Sequence, residues 1–355
     1  MKAKETSVSS CVVTDPEMLA EVIRGARIAP LQIGNRPSAS SLARVVCPNS
    51  CLELVTLGPA MLFTGAMPVD CFTFTYVMTC PGTGRSFNFS TNHTDGYMGF
   101  FPPGGALDAY TPAGLSDAIL TVRAGAFRKA LGVYFPEVSE DLLSNGAAMR
   151  VGDSEQRLLR QTIAAVSEAI RDTDQPLACE AARLQLERDL LFTFITALRS
   201  GCHEIVPPPK MRMARRYARF RRAREFVRDH VGEELHVDDL AEDLHLSERG
   251  IECLFHEMLG MPPSAFIRQQ RLHCAHHALL EASPRFGGVK EVALTWGFWH
   301  LGHFSHDYRE LFGESPGDTL AKQPVGRPDQ NRLMGTSGET APCQQQPCHP
   351  GRCHG

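Results

Sequence analysis

The sequence predicts an α+β chain: a β-rich amino-terminal part with a helical region behind it, then an all-α carboxyl-terminal domain. Three observations carry this expectation. Between residues 28 and 122 short apolar runs alternate with Gly and Pro punctuation, the texture of a strand sandwich or barrel. From about 153 to 198 the apolar positions switch to helical spacing. Within 216–320 two units of the same layout (short helix, turn, short helix) stand about fifty residues apart. A chain of 355 residues is long enough to bury more than one core, so two domains and a tail are expected.

In chain order, residues 1–25 read as an amino-terminal arm with one helical turn. Residues 26–205 read as one domain. Its strands include Leu52-Glu53-Leu54-Val55-Thr56-Leu57 and Phe72-Thr73-Phe74-Thr75-Tyr76-Val77. Pro102-Pro103-Gly104-Gly105 reads as a tight loop, and 118–122 as a further strand. Leu158, Leu159, Thr162, Ile163, Val166 and Ile170 give one helix an apolar face, and a second helix runs from Leu184 to Leu198. Pro207-Pro208-Pro209 makes 206–215 an extended linker. Residues 321–355, rich in Pro, Gln, Gly and Ser without apolar periodicity, read as a disordered tail.

The first two-helix unit has Val237, Leu240, Ala241 and Leu244 on one stripe, then Ser247 as an N-cap. Ile251, Leu254, Phe255 and Met258 form the second stripe, closed by Gly260. The second unit repeats this with Val289, Val292, Ala293 and Trp296, a break at Gly297, then Phe304, Tyr308 and Leu311 before Gly313. Phe266, Ile267, Leu272, Ala275 and Leu279 lie on one connecting helix, roughly 24 Å long at 1.5 Å per residue. Two helix-turn-helix units on a stiff connector suit successive major-groove faces, about 34 Å apart on B-DNA.

These motifs resemble a known family. The run Trp296-Gly297-Phe298-Trp299-His300-Leu301-Gly302, Phe312-Gly313 with Pro316, and Arg271-Leu272 with Ala275 make residues 216–320 similar to the seven-helix DNA-binding domain of the AraC/XylS transcription regulators. Within that family the Trp-Gly-Phe-Trp run resembles the branch containing the ethanolamine-operon regulator. The resemblance implies a ligand-responsive transcription regulator, an activator of a bacterial operon, whose partners are promoter DNA, RNA polymerase, a small-molecule effector and a second copy of itself. It also implies a cupin-like barrel for the strand-rich part and a dimerisation role for the helical pair.

In a helix-turn-helix the amino-terminal half of the second helix meets base edges. The first reader therefore exposes Ser247, Glu248, Arg249, Glu252, Cys253 and His256, with Arg249 placed for a bidentate contact to guanine. The second exposes His300, Leu301, Gly302, His303 and His306, a set suited to groove shape and backbone contact. Upstream, Arg215, Arg216, Arg219 and Arg222 belong to a basic run suited to phosphate contacts. Ten of the fourteen histidines fall between residues 210 and 320, so DNA affinity is expected to rise as pH falls through the imidazole range near ~6.5. Among the strand aromatics, Phe74, Tyr76, Phe100 and Phe101 are candidates for an effector pocket.

Composition narrows the alternatives. The net charge of −4 moves the electrostatic argument from the total to the basic run. No apolar run of spanning length and no leader-like start is present, so a membrane role is not expected and the cytoplasm is. Twelve cysteines scattered through a long chain read as reduced thiols. No P-loop, zincin, nucleophile-elbow or dinucleotide fingerprint occurs, so no enzyme, cofactor or metal is expected. One rival is a protein-interaction module with degraded DNA contacts. Another is alkyl transfer from DNA to Cys348, prompted by Pro347-Cys348-His349, but Pro350 replaces the Arg that such a motif carries. Cys343, Cys348, His349, Cys353 and His354 lack the paired spacing of a structural metal site.

Overall fold

A computed structural model of the chain describes residues 8–14, 16–34, 38–172, 177, 179–202, 211–281 and 288–322. The chain divides into two compact units, residues 1–218 and 219–355.

The first unit holds two antiparallel sheets. The larger has the order β1 (Val8–Val13), β3 (Ser40–Val46), β4 (Ser50–Thr56), β11 (Ser116–Arg123), β6 (Cys71–Thr79), β9 (Tyr97–Phe101) and β12 (Ala147–Arg150). The smaller has the order β2 (Arg27–Ile33), β5 (Ala60–Ala66), β10 (Ala106–Thr111), β7 (Gly84–Ser86) and β8 (Thr91–His93). Four helices complete the unit: α1 (Ala124–Tyr134), α2 (Glu140–Asn145), α3 (Asp153–Arg171) and α4 (Glu180–Gly201).

Strand periodicity sorts the core into two layers. From β6, Phe72, Phe74 and Tyr76 join Phe100, Leu120, Phe127 and Phe194 in a core between the larger sheet and the helices. The alternate residue Val77 joins Val55, Ile119 and Phe101 against Ile28, Met61 and Phe63 of the smaller sheet. The larger sheet is thus buried on both faces, and its strands carry apolar residues at odd and even positions alike.

Two buried acids tie segments together. On α4, Glu187 accepts from the Asn49 amide (2.7 Å), Asn49 Nδ2 (3.0 Å) and Ser50 Oγ (3.2 Å), closing the β3–β4 turn onto the helix. On β4, fully buried Glu53 accepts from the Arg24 amide at 3.1 Å and lies 3.3 Å from Arg44 Nε. Burial pushes the Glu53 carboxyl up to about 7, against the lowering pull of Arg44.

Several expectations change here. Residues 8–13, expected within an arm, form β1 and pair with β3 from Val8↔Val45 to Val13↔Ser40. β12 and helices α1 and α2 were not anticipated; β12 is only four residues long and pairs with β9. The Pro207-Pro208-Pro209 segment and the tail from 323 onward lie outside the described residues. No helix among the described residues is long and apolar enough to cross a membrane.

The division between the units falls inside α5 (Met211–His230). The second unit continues with α6 (Val237–Leu244), α7 (Glu248–Leu259), α8 (Pro263–Glu281), α9 (Val289–Thr295), α10 (Leu301–Phe312) and α11 (Pro316–Ala321). With α5 these are the seven helices expected. Aromatic edges join the first half: Phe220 meets Phe255 at 5.4 Å between ring centroids, and Phe255 meets Phe266 at 5.4 Å. Leu272, Ala275 and Leu279 of α8 close a second core with Trp296, Phe298, Phe304, Tyr308 and Leu311.

Candidate nucleic-acid interface and an interior cavity

The first two-helix unit is built by its caps. Ser247 Oγ accepts the Gly250 amide at 3.2 Å, which starts α7. Gly260 ends it in the left-handed region at φ 75°, where a side chain would be strained. The turn before α7 passes through His245 at φ 50°, one of the few non-glycine residues with positive φ. Ile251, Leu254, Phe255 and Met258 are buried, so the opposite face of α7 is presented to solvent. Ser247, Glu248, Arg249, Glu252, Cys253 and His256 are all exposed on it.

The second unit repeats the plan with a different cap. Gly297 turns the chain at φ 78°, and the Phe298 amide donates back to the Ala293 carbonyl at 2.8 Å. Phe304, Tyr308 and Leu311 anchor α10, leaving His300, Gly302, His303 and His306 exposed. Leu301 is half-buried and packs on the core beneath, so it is less available than its neighbours. His306 Nε2 lies 3.5 Å from Glu310, and Asp307 is ion-paired with Arg268 of α8. Those pairings account for the close approach of His306, Asp307 and Glu310, whose ligand atoms all fall within 4.8 Å of one another.

Two features here were not singled out from sequence as site residues. Trp299, 76% exposed, stands immediately before His300 at the rim of a groove shared with His236, Arg268 and His303. Arg271 donates to the Glu233 carbonyl (2.8 Å) and the Val231 carbonyl (3.3 Å), tying α8 to the segment after α5. The same guanidinium lies against Gly297, where an added Cβ would sit 3.4 Å from Nη1.

On α5, Arg215 and Arg219 are exposed and Arg216 is half-buried. Arg222 makes a two-pronged pair with Asp243, each bond 3.0 Å, and that pairing raises its already high pKa. It therefore braces α5 to α6, whereas Arg219 keeps an exposed side chain.

Of the four aromatic pocket candidates, Phe101 alone lines a cavity; Phe74, Tyr76 and Phe100 point to the helical layer. The cavity, about 80 Å³, lies between the two sheets of the first unit. Val22, Ile23, Val55, Phe63 and Ile119 make its apolar wall. Its titratable groups come from three strands: His93 on β8, Tyr97 on β9 and Asp117 on β11. His93 and Tyr97 are 5% and 7% exposed; His93 Nε2 forms no hydrogen bond, and Ser86 is the side chain beside the Tyr97 hydroxyl. Asp117 sits where β11 shifts register against β6, and its Oδ1 has no hydrogen-bond partner. Burial pushes its carboxyl up to about 7, and holds the His93 imidazole down at about 4.

Residues 240–322 match the family model described as a helix-turn-helix domain. A stretch of 78 residues is 37% identical to the XylDLEGF operon transcriptional activator 1 of Pseudomonas putida, covering 22% of this chain and 24% of that protein. A similar stretch of 79 residues is 37% identical to the probable thc operon regulatory protein of Rhodococcus erythropolis, again 22% of this chain and 24% of the relative. The chain thus spans about a quarter of the length of these relatives. Among solved structures, a probable AraC family transcriptional regulator from Rhodopseudomonas palustris is 35% identical, covering 30% of this chain and 99% of that one, with a TM-score of 0.29. The AraC-like transcriptional activator CuxR is 13% identical over 77% of this chain and 96% of its own, with a TM-score of 0.41. These proteins bear the names of regulators, not of enzymes. Residues 240–322 are thus a helix-turn-helix domain similar to those of the AraC/XylS transcription regulators.

Proposed function

We propose that the whole chain is a sequence-specific transcription activator that responds to a small molecule. The observation that carries this reading is the pair of exposed helix faces, on α7 and α10, held in one unit by α8. Arg249 reads guanine, with Glu248, Glu252, Cys253 and His256 beside it, while His300, Leu301, Gly302, His303 and His306 follow the groove of the next half-site. Arg215 and Arg219 contact phosphate, with Arg216 at their margin; Arg222 acts through its brace to Asp243. The Trp296-Gly297-Phe298-Trp299 run supports reading the domain as akin to the ethanolamine-operon branch, a likeness that bears on the reader and leaves the ligand open.

In the same reading the first unit is a cupin-like sensor, the cavity between its sheets receives the effector, and the protein acts in the cytoplasm. The chain dimerises through α3 and α4, where Leu158, Val166, Leu186 and half-exposed Phe192 line an apolar groove. Effector binding favours one arrangement of the dimer over another and so changes operator occupancy and the contact with RNA polymerase. Domain limits of 26–205 and 216–320 accompany this proposal.

The direct test uses the full chain and duplexes from the region upstream of its own gene. Of the two tryptophans, Trp296 is buried and Trp299 is exposed beside the second reader, so Trp299 emission should change on binding. A saturable change at lower concentration for one duplex than for scrambled duplexes of equal length is expected. Equal titration by all duplexes would leave a nonspecific binder or a protein-interaction module.

A further inference from the structure

The cavity between the sheets combines an apolar wall with polar groups that lack partners. His93 Nε2 and the Tyr97 hydroxyl are each on a side chain more than nine-tenths buried, and Asp117 Oδ1 has no hydrogen bond. Leaving buried polar atoms unmade costs free energy that a bound molecule recovers by supplying partners. The three groups are unlike in charge. Imidazole and phenol are neutral, and Asp117 is the single acid that lines the space.

The surroundings of Asp117 define what it will accept. From β9 it faces Tyr97, with the His93 ring of β8 tilted 5.2 Å from the Tyr97 ring, and near the end of β6 it faces the Cys80 thiol. Asp95 lies beyond, accepting the Cys80 amide at 2.7 Å. Arg85 influences His93, but no lysine or arginine is paired with Asp117 among the described residues. An acid with backbone amides as its lowering influences and no paired cation among the described residues has room for a positive charge.

Size sets a second limit. The space is about 80 Å³, roughly half of a ~150 Å³ cavity that holds benzene, so a ligand of about three or four non-hydrogen atoms fills it. We infer that the effector is a small apolar amine, its ammonium on Asp117 with Tyr97 alongside, and its hydrocarbon among Val22, Ile23, Val55, Phe63 and Ile119. This rests on the reading of the cavity as the effector site and adds the chemical class of the ligand. The ammonium favours the ionised carboxyl, and burial alone keeps Asp117 partly protonated near pH 7. Binding at pH 6.5 therefore releases a proton to solvent.

The test is calorimetry on the full chain with n-propylamine hydrochloride, propan-1-ol and sodium propionate, which carry short hydrocarbons and differ in head group. The amine is expected to bind at least about tenfold tighter than the other two. At pH 6.5 its heat should change between buffers of different ionisation enthalpy, showing net proton release. Asp117→Asn, a change of one polar atom, should lower amine affinity about tenfold or more and abolish the buffer dependence. Equal binding of alcohol and amine, or of propionate, with Asp117→Asn unaffected, would overturn the amine assignment while leaving the cavity as a ligand site. Absence of binding by all three probes would overturn both. Unchanged buffer dependence in Asp117→Asn would overturn the role of Asp117, whatever the affinity.

Discussion

In the proposed function Arg249 is the side chain on which sequence readout turns. It is exposed on the first turn of α7, behind a serine cap that fixes where the helix begins. Arg249→Ala should cost about 1–3 kcal/mol on a specific duplex and much less on a scrambled one, measured by equilibrium titration. Reader residues were legible because helical period and cap chemistry settle which side faces out. The cavity residues were not: His93, Tyr97 and Asp117 sit on three strands and share nothing in sequence.

Helix α7 depends on its first turn. Ser247→Ala should destabilise it by about 1 kcal/mol and weaken DNA binding without altering which duplex is preferred, as hydrogen exchange of the Gly250 amide would show. A shift in the preferred duplex would mean that Ser247 reads bases itself. Strand β6 shows why the pocket aromatics were assigned to the wrong layer. Alternation separated Phe72, Phe74 and Tyr76 from Thr73, Thr75 and Val77, but a strand covered on both sides has no polar face to mark the outside. The large rings went to the helices, where Phe74 meets Phe127 and Phe194 at 5.6 Å each, and the smaller residues were left to bound the cavity. Edge strand β1 was missed because its apolar residues, Val8 and Val12 on one side and Cys11 and Val13 on the other, mark neither face as the buried one.

For the molecule as a whole, buried acids set the pH response. Glu53 and Asp117 have carboxyls held near 7, above the ordinary range near ~4, so between those values the native state binds more protons than the unfolded chain. Their contribution is fully present below the ordinary value and is lost as pH rises through 7. Thermal unfolding of the first unit should therefore fall by a few degrees from pH 5 to 8, and Asp117→Asn should flatten that fall. A melting temperature that climbs over this range would contradict the burial of both acids. The α+β class, the seven carboxyl-terminal helices and both turn units were readable because local periodicity decides them. The pairing of twelve strands into two sheets was not, since it joins residues as far apart as Ser50 and Val122. One small fastening has a larger meaning. Arg271 clasps the carbonyls of Val231 and Glu233 and leans on Gly297, the glycine before α10, so it braces the two helical pairs from a side chain outside the proposed reading faces. Under the proposed function, spelling and spacing of a target are then written in separate places, and a lineage can revise one while inheriting the other.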